Sequence, residues 1–147
     1  MALLADDPQD RAEQLLLVTE RLTALIGEET RRIDARQPPL DGAEAEEKNR
    51  LANAYRLELA RIKQDRTLIE GARPETLAQL RATTVALHEA LAAHESALNA
   101  VKIVSEGLVQ AMAEEVARQR GGEAQYGAKG DLATPSAPVA TVLDRSA

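Results

Sequence analysis

The chain has two histidines, His88 and His94, and His88 is followed directly by Glu89. An imidazole beside a carboxylate suits metal ligation or proton transfer, so spacing decides what the residues can do. A helical metalloprotease site needs histidines four apart on one face. His88 and His94 are six apart. At ~3.6 residues per turn, their rings point about 120° away from each other. A phosphotransfer histidine on a helical bundle is the remaining chemistry for this residue type, but no nucleotide-binding domain accompanies it. The run Gly121-Gly122-Glu-Ala-Gln-Tyr-Gly127-Ala-Lys129 approaches a phosphate-binding loop without completing it. Its lysine is one position late, no Ser or Thr follows, and no strand precedes the glycines. Carboxylates are abundant but alternate with Arg and Lys, as on solvated helix faces. Cysteine is absent, which excludes disulfides, thiolate metal sites and a cysteine nucleophile. The residue types therefore predict a protein that is not an enzyme and holds no cofactor or metal. His94 reads as a polar interruption of a packed seam that fixes register or pairs with a neighbouring helix.

The elements carrying these residues are helical. Hydrophobic residues make up 44% of the 147-residue chain but aromatics only 1%, so Leu and Ala must fill the core, which suits helix-on-helix packing. The net charge of −6 is spread along the chain, with no basic stripe or interleaved aromatics to hold phosphates, which argues against nucleic acid. No segment approaches the ~20 apolar residues of a membrane span. The opening MALLADDPQD lacks a basic region and a long apolar run. A soluble, cytoplasmic protein is expected.

The organising stretch is Pro74–Arg120, which has no proline after its first residue. Leu77, Leu80, Thr84, Leu87, Leu91, His94, Leu98 and Val101 alternate in steps of three and four, and Ser105, Leu108, Met112 and Glu115 continue the pattern. This is a heptad seam with Leu77 at a and Leu80 at d. Pro74 suits the first helical turn, and Gly121-Gly122 is the expected stop. Upstream, Asp7-Pro8 reads as a helix start, and the apolar spacing from Leu15 to Ile33 carries a helix to Gln37-Pro38-Pro39. A second helix begins at Ala43 and ends at Gly71, with Leu51, Tyr55, Leu59, Ile62 and Ile69 on its apolar face. The predicted fold is all-α: an antiparallel three-helix bundle or coiled coil, with helices over 8–36, 43–70 and 74–120. A flexible, Gly-, Ala-, Pro- and Ser-rich tail should occupy 121–147. Within it, a terminal PVATVLD places Val139, Val142 and Leu143 at helical spacing.

The mismatch in helix lengths bears on function. Two helices of roughly 40 Å cannot cover one of roughly 70 Å, and coverage should end near Val101. A free helix ought to be polar on most of its circumference. Here Val101, Ile103, Val104, Leu108, Val109 and Met112 make the uncovered part apolar on nearly every side. It needs a partner, either another protein or a second copy in a homodimer or scaffolding coiled coil.

The stretch ESALNAVKIVSEGL with Asn99, and the tail element Tyr126-Gly127-Ala128-Lys129-Gly130, resemble the FlgN-like flagellar export chaperones. The resemblance implies a cytosolic chaperone of type III flagellar export. It would bind the C-terminal helical segments of hook-associated (hook–filament junction) proteins and prevent their premature assembly. It would place the client on Asn99, Val101, Ile103, Val104, Leu108, Val109 and Met112. Tyr126 would touch the flagellar export gate.

Overall fold

The computed structural model describes the backbone of residues 4–127 and the side chains of residues 4–123. Among these residues the chain is all helix, in the order α1 (Pro8–Asp34), α2 (Gly42–Gln64), α3 (Thr67–Glu70) and α4 (Pro74–Gly127). Two compact units divide it, Met1–Lys102 and Ile103–Ala147, and α4 enters both.

Local chemistry sets the helix ends. Asp7 caps α1 by accepting from the Asp10 amide at 2.8 Å, and Pro8 fills the first helical position, where an amide hydrogen has no partner. Asp41 caps α2 in the same way, through the Glu44 amide at 2.9 Å. The first helix closes two residues before its predicted end at 36. Arg36 turns left-handed at φ 54°, its amide donates to the Ile33 carbonyl at 3.1 Å, and the Gln37 amide reaches the Arg32 carbonyl at 2.8 Å. That pair of bonds is a Schellman stop, formed on an arginine rather than a glycine.

The second predicted helix, 43–70, is split. Asp65 is extended at φ −140° and ψ 97°, and its Oδ1 accepts from both the amide (3.0 Å) and the hydroxyl (2.5 Å) of Thr67. A short acidic side chain that bonds the backbone just ahead competes with the helix ladder. The chain therefore breaks at Asp65 and restarts as α3. At the other end, Gly121-Gly122 does not stop α4, which runs on to Gly127. Glycine terminates a helix where it turns left-handed, and no glycine among the described residues has positive φ.

In the first unit, α1 and α2 run antiparallel, tied by Arg11 to Glu58, Arg21 to Glu47 and Lys48 to Glu29. Helices α1 and α4 run parallel. The Gln9 side chain donates to Thr76 Oγ1 at 3.0 Å and accepts from the Arg73 amide at 2.8 Å, while Glu29 stands beside His94. The core centre is Leu22 and Ile26 of α1 with Leu87 of α4, closed by Leu51, Tyr55 and Ala90. α1 buries Ala12, Leu15, Thr19, Leu22, Leu25 and Ile26, so it is the inner helix.

The seam of α4 differs from the predicted a/d stripe. Thr76, Leu87 and Ala97 are buried, all at d or g; Thr83, Ala90 and His94 are half-buried beside them, as are Leu77, Leu80 and Thr84 of the predicted stripe, so the shift toward d/g grows along the helix. The predicted a residues Leu91 and Leu98 are exposed. Small Ala and Thr side chains let helix backbones approach closely, so α4 turns its alanines and threonines, rather than all its leucines, toward the bundle. The leucines left outside this stripe line hollows along its edge.

One buried charge has no counterpart among the sequence expectations. Glu58 is 1% exposed, with Arg11 bound to it and the Arg61 guanidinium 3.9 Å away. A buried carboxylate persists only when it is paired, and here the bond also locks α2 to α1.

Candidate functional site

The second unit presents an uncovered apolar helix face. Ile103, Val104, Leu108, Val109 and Met112 are 60–66% exposed, and Val116 is 47% exposed. Among the described residues of this unit no side chain is buried. At about 100° per residue, Val104, Leu108, Met112, Val116 and Val109 fall within an arc of roughly 140°, and Ile103 lies on the other side. Of the predicted client-binding residues, the helix thus gathers Val104, Leu108, Val109 and Met112 on one stripe. Asn99 and Val101, in the first unit, are also exposed but point to opposite sides of the helix. Beside the stripe, Gln110 donates to Glu114 at 3.1 Å and Arg118 pairs with Glu115, which hold polar side chains along the helix. Tyr126 falls in the last turn of α4, and its side chain, like the Lys129-Gly130 end of its motif and PVATVLD, lies outside the described residues.

The stripe offers burial of apolar surface and helix-to-helix complementarity. It carries no histidine, and His88 and His94 both lie in the first unit. Among the described residues no group of three or more His, Asp or Glu could hold a metal ion. His94 sits in the packed seam. Its Nε2 is buried without a hydrogen-bond partner, and the Glu29 Oε2 stands 3.4 Å away. His88 is exposed at the rim of a trough between α2 and α4, floored by Leu15 of α1. This trough encloses about 710 Å³, and a second hollow of about 280 Å³ continues it from Tyr55 to His94. Sequence patterning missed the trough, because the a/d reading buries Leu77, Thr84 and Leu91 against a neighbour. The signal that could have found it is the g-position series of small residues, Thr76, Thr83, Ala90 and Ala97.

Electrostatic tuning is concentrated on α1 and the start of α2. Hydrogen bonds from Arg31 and Arg32 hold the Glu28 carboxyl down at about 2. The Arg21 guanidinium lowers the Glu47 carboxyl by the same means. The Glu28 bonds lie within α1, and the Arg21–Glu47 pair joins α1 to α2. Among the described residues no helix is long and apolar enough to cross a membrane.

No family model matches the chain, and no solved structure does. Over 149 aligned positions covering all of both proteins, it is 42% identical to the flagellar basal-body protein FlbY of Caulobacter vibrioides.

Proposed function

The chain belongs to the family of the flagellar basal-body protein FlbY, and from that premise we propose that it is a cytoplasmic, non-catalytic export chaperone for flagellar subunits. Its clients would be the hook–filament junction proteins, held by their C-terminal helical segments until export. The observation that carries this reading is the uncovered stripe of Val104, Leu108, Val109 and Met112.

The mechanism is helix-on-helix capture. A client segment lays its own apolar face on the stripe, and each Å² removed from water contributes ~25 cal/mol. Ordering an otherwise unfolded client offsets part of that gain, which keeps affinity moderate and permits release without nucleotide hydrolysis. Asn99 and Ile103 would meet a second part of the client. Tyr126, in the last turn of α4, would serve as the anchor on the export gate, an aromatic with one polar end.

Titration of purified hook–filament junction proteins into the full chain tests the proposal. Leu108→Asp, at an exposed position, should abolish binding while helicity is retained. Undiminished binding by that variant sinks the assigned surface, and absence of binding by the unaltered chain sinks the function. The relative's name supports a second reading, a structural part of the basal body. In that case the protein would co-sediment with purified basal bodies and ignore the junction proteins.

A further inference from the structure

Among the described residues two apolar surfaces are left uncovered: the α2–α4 trough and the Ile103–Val116 face of α4. We infer that they cover each other between molecules, the Ile103–Val116 segment of one copy lying in the trough of a second. The inference is independent of the export function. It concerns a different partner, the chain itself, and assigns a use to the trough, which that function leaves empty.

Size, lining and charge carry it. Along α4 the trough and its continuation run from Leu77 to His94, about 27 Å of helix at ~1.5 Å per residue. Ile103–Val116 is a helical rod of about 21 Å, and it fits within that length. Helix α1 forms the floor and α2 and α4 the walls, which is the vacant fourth position of a four-helix arrangement. The walls are apolar, with Leu59, Ile62, Leu80 and Val85 facing the space. The rim of the trough carries Arg66 and Arg81 against one carboxylate, Glu70, while its continuation adds Lys48 and Glu29, which pair with each other. The segment carries Glu106, Glu114 and Glu115 and no basic residue; Glu106 already has a partner, as does Lys102 just before the segment, Glu114 accepts from Gln110, and Arg118 just beyond pairs with Glu115. An acidic apolar helix therefore meets a basic apolar trough. Because two different patches meet, the contact is heterologous. It differs from a symmetric pairing of two α4 segments, and it closes into a ring or repeats. Where the export function holds, a client and a second copy compete for Val104, Leu108 and Met112.

Sedimentation of the full-length chain over a range of concentrations, with two exposed substitutions, tests this. Val85→Glu alters the trough wall and Val109→Glu the segment, at positions 56% and 66% exposed, so circular dichroism should show the helices intact. The unaltered chain should associate with rising concentration. Each substitution places a charge in an apolar contact and should weaken self-association at least about ten-fold. An equimolar mixture of the two variants should recover association, because each supplies the surface that the other lacks. Association unaffected by Val85→Glu, no recovery in the mixture, or a chain monomeric at every concentration would overturn the inference. The absence of cysteine allows a direct check. Val85→Cys mixed with Leu108→Cys should cross-link through a short bismaleimide, and neither alone should. Efficient cross-linking of Leu108→Cys alone would indicate the symmetric pairing instead and refute the trough.

Discussion

The two parts of α4 share a helix and similar composition, yet they face opposite environments. From Thr76 to Ala97 the helix fully buries small residues and one large leucine, Leu87, which is 1% exposed. From Ile103 on, larger branched side chains and one methionine stand in water, Leu108 at 60%. Burial thus follows side-chain size and position in the seam more than hydrophobicity. In the packed part small residues set how close the helices come. In the open part large apolar residues are left exposed among the described residues, and this is the surface that the proposed function assigns to a client.

Removing the pairing of the covered unit should have the largest effect. Arg11→Ala leaves the buried Glu58 carboxylate with no close partner but Arg61, and chemical denaturation should show a loss of about 3–5 kcal/mol. An unchanged midpoint would mean that Arg61, 3.9 Å from Glu58, takes over the charge. Truncation draws the contrast most directly. Leu87→Ala should cost about 2–5 kcal/mol through lost burial and the cavity left behind. Leu108→Ala should stay within about 0.5 kcal/mol. Equal losses would erase the distinction between the two parts. A gain is expected at the end of α1, where Arg36 holds a left-handed conformation that glycine adopts freely. Arg36→Gly should raise stability by about 1 kcal/mol, read as an increase in Tm.

The smallest effect concerns acid. The Glu28 carboxyl, at about 2 in the folded chain against an ordinary 4.5, favours folding fully above pH 4.5, and that contribution fades as pH falls toward 2. Glu28→Gln should flatten the melting temperature across this window and leave the distal face of α4 unchanged. The flattening should be slight, since Arg31 and Glu28 sit at a hydrated surface.

Much of this arrangement was legible in the residues. Asp7-Pro8 and Pro74 mark helix starts because each acts locally, through a cap or a missing amide hydrogen, whereas Asp41-Gly42 reads as a turn and its role as the cap of α2 shows only in the structure. The apolar face of α4 beyond Lys102 was legible as well, because periodicity and helix length are additive along a chain. Three features were not. The break at Asp65 depends on which of two local bonds an aspartate makes. The arginine at the end of α1 takes a conformation for which sequence gives no sign. The rotation of the seam from a/d to d/g follows from three helices competing for the same stripe, a property of the assembly rather than of any segment. Glu58 escaped notice for a related reason: one glutamate among many looks solvated until the partner helix is in place.

The near-absence of rings has a practical consequence. With no tryptophan or phenylalanine, the ultraviolet emission of this protein comes from Tyr55 and Tyr126 alone. Tyr55 is half-buried where the core meets both hollows along α4. Its phenol is thus a built-in optical reporter, undimmed by brighter fluorophores. Filling the space beside it would change its quantum yield and anisotropy without any label.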